Sequence, residues 1–194
     1  MANKVLLSGC VAIIFASAAA FAMASSPKAA PHAAAPQPAT AMVLTSPAFK
    51  EGDLIPKDYT GDGKNMSPPL AWDRVPEGTV TLAIIMDDPD ARMGPFVHWL
   101  ICEISGVTRM LPEGVPKDDT VTTPVSAVQG VNSARSVGYT GPHPPKGETH
   151  RYYFKLYALD ERLKMPGSFS KKQLEAAMKD HILAQATLMG RYGR

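Results

Sequence analysis

An aspartate, two histidines and a tyrosine stand where the chain passes between loop and apolar run, and these are the residue types that could do chemistry. Asp88 follows the run Thr79–Asp87 (TVTLAIIMD). His98 lies near the start of Phe96–Ile104 (FVHWLICEI), and His150 and Tyr152 open the segment that continues through Ala158. An ionisable group inside an apolar element costs free energy unless it is paired, so its recurrence in three separate runs points to one shared pocket mouth. Two chemistries fit such a set. Neutral imidazoles and a carboxylate could hold a divalent metal as a 2-His-1-carboxylate site. Alternatively, imidazole N–H groups, the Tyr152 hydroxyl and loop amides could donate hydrogen bonds to a bound anion such as phosphate, with Asp88 orienting a histidine and favouring its charged form. No H-E-x-x-H, C-x-x-C or G-x-S-x-G pattern sharpens a metal or nucleophile reading.

The elements that must position these residues can be read from periodicity. The segment Gly138–Gly147 packs three glycines and three prolines into ten residues, a loop stiff at the prolines and sterically open at the glycines. The strand that follows alternates cleanly. His150, Tyr152, Phe154, Leu156 and Ala158 fall on one face, and Arg151, Tyr153, Lys155 and Tyr157 on the other. Thr79–Asp87 reads as a strand buried on both faces. Phe96–Ile104 reads as a second strand, with His98, Leu100, Cys102 and Ile104 sharing a face. A short strand is expected near Ser126–Gln129 within an otherwise weakly patterned excursion, Thr108–Val137. Ser170-Lys171-Lys172-Gln173 has the form of a capping box. The helix it starts is expected to carry Leu174, Ala177, Met178, Ile182, Leu188 and Met189 on one stripe and to stop at Gly190. Strands dominate and lack the helical spacers of a parallel sheet, so the fold class is mainly β with a C-terminal helix. His143 reads as an exposed loop residue, and His32 and His181 as structural or solvated.

Composition bounds the partners. The chain has 194 residues and a formal net charge of +2, too small for a nucleic-acid or anionic-membrane footprint. Lys4, the apolar stretch Val5–Phe21 and Ala22-Met23-Ala24 have the form of a signal peptide (residues 1–24) cleaved before Ser25, so the protein is expected to be exported, to the periplasm or beyond. The Leu7-Ser8-Gly9-Cys10 box has the letters of a lipidation site, but the apolar stretch before it is too short for that use. The Ala/Pro-rich segment 25–41 reads as an extended tether, and the folded domain spans 42–194. After processing the chain keeps one cysteine, Cys102, so an intramolecular disulfide is excluded and no membrane span is expected.

Several motifs taken together resemble the phosphatidylethanolamine-binding protein family, in particular its bacterial Raf kinase inhibitor-like branch. They are Asp88-Pro89-Asp90-Ala91, Gly94-x-x-x-His98-Trp99, and Gly138-Tyr139-x-Gly141-Pro142-x-Pro144-Pro145-x-Gly147 running into His150-Arg151-Tyr152. Leu44-Thr45-Ser46-Pro47-Ala48-Phe49, Ser67-Pro68-Pro69-Leu70 and Leu188-Met189-Gly190-x-Tyr192-Gly193 complete the set. The resemblance covers Met42 to Arg194. It implies a Greek-key-type β-sandwich with a small anion pocket formed by Asp88, Asp90, His98 and His150, with Pro142 and Tyr152 in the wall. It also implies a non-enzymatic binder of phosphate or phosphoethanolamine-like anions that needs no cofactor or metal. A protein-binding inhibitor, for example of a peptidase, is the alternative, and a metal-dependent hydrolase a more remote one. Oligomeric state is left open, a homodimer included. Two departures stand out: Arg92 replaces the proline that commonly ends the family's DPDAP, and Gly61 and His143 stand where bacterial relatives often carry cysteines.

Overall fold

A computed structural model describes residues Ala41–Arg194. The expected signal peptide, the lipidation box and nearly all of the tether lie outside the described residues. Besides a 3-10 turn at Lys57–Tyr59, the described residues form nine strands and one short α-helix, in order: β1 (Val43–Thr45), β2 (Leu70–Asp73), β3 (Thr81–Asp88), β4 (Phe96–Ser105), β5 (Met110–Leu111), β6 (Thr120–Val121), β7 (Ala127–Gln129), β8 (Thr149–Leu159), α1 (Lys171–Met178) and β9 (Ile182–Gly193). All strand pairs within the sheets are antiparallel. A small sheet has the order β1-β2-β5 and a large one the order β6-β7-β4-β3-β8-β9.

The large sheet is apolar on both faces because each is covered by a different layer. One core lies between the two sheets, with Leu44, Leu70, Trp72 and Leu111 facing Leu82, Ile84, Met86, Trp99, Phe154 and Leu156. A second core lies under α1, where Phe169, Leu174 and Met178 cover Ala83, Ile85, Leu100 and Cys102. Asp87, on the helix side of β3, is buried but clamped by Lys155 at 2.9 Å and by Lys171 of α1 at 2.8 Å, which ties the helix to the sheet.

The two-sided burial expected for β3 and the alternation expected for β8 are observed, but the shared face expected for β4 is not. Two bulges interrupt β4. Met86 faces Trp99 while Asp87 faces Val97, leaving His98 without a cross-strand partner. Further along, Ile84 faces Ile101 and Leu82 faces Ile104, which leaves one β3 residue opposite Cys102 and Glu103. Glu103 takes a left-handed φ of 61° there. An extra residue in one strand re-aims the side chains beyond it. As a result Trp99, Ile101 and Ile104 face the inter-sheet core, whereas Leu100 and Cys102 face the helix. The expected shared face of His98, Leu100, Cys102 and Ile104 is thus corrected.

The long C-terminal helix is corrected too. The capping box forms, with Ser170 Oγ accepting from the Gln173 backbone N–H and the Gln173 side chain reaching back to the Ser170 N–H. The helix nevertheless ends at Met178, Asp180 turns the chain at φ 67°, and Ile182–Gly193 becomes the edge strand β9. Ala184, Ala186 and Leu188 face the inter-sheet core with a period of two. Pairing along the length of β8 outweighs the helical preference of this Ala/Leu/Met-rich segment. The edge of β9 is capped where Gly52 N–H donates to Met189 O and Ile55 N–H to Arg191 O, both at 2.8 Å. Gly190 allows that approach, because a Cβ there would lie 2.6 Å from Ile55.

The layers make the helix separable from the inter-sheet core. Leu174→Ala, which truncates a fully buried side chain under α1, is expected to cost about 2–5 kcal/mol in denaturant unfolding. The two histidines described next should keep their pH titrations in this variant, since they lie on the other side of the sheet.

Candidate functional site

At one end of the inter-sheet core lies a cavity of about 430 Å³, walled in part by Asp88, Arg92, Phe96, His98, His150 and Tyr152. Three adjacent strands of the large sheet supply its floor. Asp88 ends β3, His98 is the bulged residue of β4, and His150 and Tyr152 alternate from the start of β8. The bulge is what turns His98 to the same side as Tyr152, whose ring it meets edge-on at 5.2 Å. Phe96 packs against the other part of the imidazole, with ring centres 4.7 Å apart.

Each polar group has a defined partner. His150 Nδ1–H donates to Asp88 Oδ2 at 2.7 Å, and both side chains are about 95% buried. His150 Nε2–H reaches Glu148 Oε2 at 3.1 Å. Asp88 is held from behind, its Oδ1 accepting the Asp90 backbone N–H at 2.8 Å. Burial opposes charge on His150, but the hydrogen bonds to Asp88 and Glu148 outweigh it and raise its pKa above the ordinary imidazole value. His98 behaves in the opposite way. Burial lowers its pKa, and its Nδ1–H donates to Thr140 O at 2.7 Å. That bond fixes the neutral tautomer, which leaves Nε2 with a lone pair. Of the two chemistries open in the sequence, the anion reading expects both imidazoles to donate. Neutral His98 offers an acceptor at Nε2, and of the two imidazoles only His150 is a charged donor. Burial also raises the Tyr152 phenol, which stays protonated.

The remaining expected residues act at one remove. Asp90 does not line the cavity. Arg151 binds its carboxylate through Nε at 2.9 Å, NH2 at 2.6 Å and its backbone N–H at 2.9 Å, and these bonds hold the Asp90 carboxyl down to about 2. Pro142 is buried between the lining residues Gly141 and His143, with its carbonyl accepting the Gly61 N–H at 2.8 Å. The Gly/Pro loop is further pinned by Asn65 Oδ1, which accepts the Gly141 N–H at 2.7 Å, and by Tyr139 OH, which donates to Tyr59 O at 2.6 Å. Gly141 has no room for a side chain, since a Cβ would come within 2.6 Å of Tyr59 O.

Sequence reasoning missed three contributors. His143 is half-exposed yet lines the cavity, with Nδ1 3.5 Å from Asp62. Asn132 is buried and supports the wall at Ala134, accepting the Ala134 and Ser136 N–H groups and donating to Gly138 O. Glu148 bonds both His150 and Arg92. Only for Glu148 was there a signal, its position two residues before His150.

Residues 45–193 match the family described as Phosphatidylethanolamine-binding protein. The chain belongs to the phosphatidylethanolamine-binding protein family. A UPF0098 protein of Aquifex aeolicus is 47% identical over 155 residues, covering 79% of this chain and 89% of its own. A UPF0098 protein of Methanothermobacter thermautotrophicus is 45% identical, with 79% and 99% covered. Among solved structures, a putative phosphatidylethanolamine-binding protein homolog from Chlamydia trachomatis superposes with a TM-score of 0.72 at 42% identity, covering 79% of this chain and 98% of that one. Escherichia coli YbcL, described as a member of the mammalian family, gives 0.74 at 30% identity over 80% and 99%. The phosphatidylethanolamine-binding protein fold, two packed antiparallel sheets with a helix near the C-terminus, is therefore the fold of this chain.

The two positions that the family resemblance marks for cysteine are adjacent: a Cβ at Gly61 would lie 3.0 Å from His143 Cβ. A small outward shift brings that to disulfide spacing. The double variant Gly61→Cys/His143→Cys is expected to cross-link on oxidation, giving faster migration on non-reducing gels and about 2–4 kcal/mol of added stability.

The histidines give a signed pH prediction. In an NMR titration His150 should titrate above about 6.5 and His98 below it. Stability from His150 is complete below about 6.5 and is lost as pH rises through its folded pKa, while His98 lowers stability as pH falls from about 6.5 through its own. Their joint contribution should therefore peak near the unperturbed value. Asp88→Asn should bring the His150 titration down, and an unmoved His150 curve would contradict the assigned pairing.

Proposed function

We propose that this protein is an exported, non-enzymatic binder of a small oxyanion, phosphate or a phosphoethanolamine-like head group, held at Asp88, His98 and His150. The observation that carries the reading is the buried Asp88–His150 pair at 2.7 Å beneath an open cavity. A carboxylate buried with its imidazole keeps that imidazole charged, and a charged donor at a cavity wall favours an anion. The neutral His98 Nε2 complements a ligand proton, as on a singly protonated phosphate, or becomes a second donor once protonated. Ala91, Met93, Phe96 and Pro145 make the rest of the mouth apolar, which suits an anion carried on an apolar body. The family's description names phosphatidylethanolamine, a ligand of this chemistry.

The donor set argues against the hydrolase alternative. His150 has both nitrogens on carboxylates and its charged form favoured, whereas a metal ligand must be neutral with a free lone pair. Cys102 faces the helix side of the sheet, and burial raises its thiol pKa far above the ordinary value, so it is no nucleophile for this cavity. A second binding reading, a protein partner engaged by the rim, draws on Met93, which stands wholly exposed at the mouth.

Titration with phosphate and with phosphoethanolamine, followed on the two histidine ring resonances, tests the proposal. Both resonances are expected to move at millimolar ligand. His150→Ala should weaken binding by at least tenfold, and affinity for sulfate, whose charge is constant in this range, should rise as pH falls through the His98 pKa. Histidine resonances that stay still at millimolar ligand would refute the pocket assignment. Retention of a captured protein by His98→Ala would favour the rim reading instead.

A further inference from the structure

The cationic donors of the cavity wall are already paired with an anion that stands beside the cavity. Arg92 and His150 both line the cavity and are its cationic donors, yet each is engaged by the carboxylate of Glu148. Oε1 of Glu148 bonds Arg92 NH2, and Oε2 takes His150 Nε2–H at 3.1 Å, so one carboxylate spans both donors. The turn that carries it is fixed. Glu148 N–H donates to Pro145 O at 3.1 Å, its carbonyl accepts the Arg194 N–H at 3.2 Å, and Gly147 takes a left-handed φ of 81°. The side chain is free to swing, being about one-third exposed at the rim, and Arg92 is more exposed still.

We infer that Glu148 is an internal competitor for the site, lowering the affinity of every anion that takes Arg92 and His150 from it. The inference rests on the oxyanion reading above and identifies the residue that tunes it. A ligand entering the mouth exchanges with Glu148: ligand oxygens take the Nε2–H of His150 and the Arg92 guanidinium, and the Glu148 carboxylate turns to water. A carboxylate ligand reproduces the two bonds it displaces and must compete with a group tethered at high effective concentration, so it gains little. A phosphate monoester brings up to two charges and three acceptor oxygens, and its bonds to a guanidinium are charge-assisted and can be bidentate. Because each such ligand displaces the same carboxylate, the exchange lowers all their affinities by one factor, and only an anion with strong intrinsic bonds stays bound. The pairs Glu148 makes lie at the rim in partial contact with water, which keeps the barrier low enough for such exchange.

Calorimetric titration of the mature protein and of Glu148→Gln with inorganic phosphate, phosphoethanolamine and acetate tests the inference. The variant keeps the side-chain shape, and its melting temperature should match that of the parent. Phosphate is expected to bind about threefold to tenfold tighter in Glu148→Gln, and acetate to gain by about the same factor. Equal or weaker phosphate binding in the variant, with the parent binding normally, would overturn the competitor role alone. Absence of phosphate and phosphoethanolamine binding in both proteins would overturn the oxyanion reading and the competitor with it. A gain in phosphate affinity in Glu148→Gln that is reduced in Glu148→Asp would support competition by the carboxylate itself.

Discussion

The ion pair between Asp88 and His150 is the constraint from which the rest of the site follows. Both side chains are buried, and a buried charge left alone costs several kcal/mol, so neither residue is tolerable there without the other. The pair joins the end of β3 to the start of β8, two neighbouring strands of the large sheet. The turn after β3 serves it directly, since the Asp90 N–H caps the free oxygen of Asp88 while the Asp90 carboxylate grips Arg151 beside His150. Asp90 thus closes a second link between the same two strand ends. A residue marked by its motif as part of the pocket works from behind it.

Of the fold, the long alternating segments were the legible part. The inward face of β8, with His150, Tyr152, Phe154, Leu156 and Ala158, could be written down from the sequence because a period of two tolerates one reading only. The same logic failed on β4. Nothing in FVHWLICEI announces that His98 or Glu103 is an extra residue, because a bulge is decided by the register of the partner strand. The failure on β9 had a different cause. Residues 182–189 suit either period, and a strand won because β8 offered it a full ladder of backbone partners, a long-range reward that no local propensity records.

The candidate site was legible in its residue types and less so in their roles. Asp88, His98, His150 and Tyr152 do meet at one cavity. Their protonation was hidden, because it depends on which backbone or side-chain atom faces each ring nitrogen. Burial keeps His98 neutral and Thr140 O selects its tautomer, whereas Asp88 with Glu148 makes His150 a cationic donor. Thr140 carried no signal at all. It lies in the Gly/Pro loop and is brought to His98 by the paired bonds Thr140 N–H to His98 O and His98 Nδ1–H to Thr140 O. The loop's stiffness therefore has a chemical use, since a tautomer is only as well defined as the carbonyl that selects it.

Two imidazoles in one cavity would repel if both were charged, and the structure avoids this by giving them unlike surroundings. His98 lies on the apolar side, between Phe96 and Tyr152, where desolvation disfavours charge. His150 lies against carboxylates, which favour it. On the oxyanion reading this asymmetry matters more than the total charge. A cationic imidazole beside a neutral one with a lone pair complements an anion that still carries a proton, whereas two cationic imidazoles would complement a fully ionised one. Protonation of His98 converts the first kind of pocket into the second. The ionisation state of the preferred ligand is then set by the same desolvation that β4 imposes when its bulge turns His98 inward.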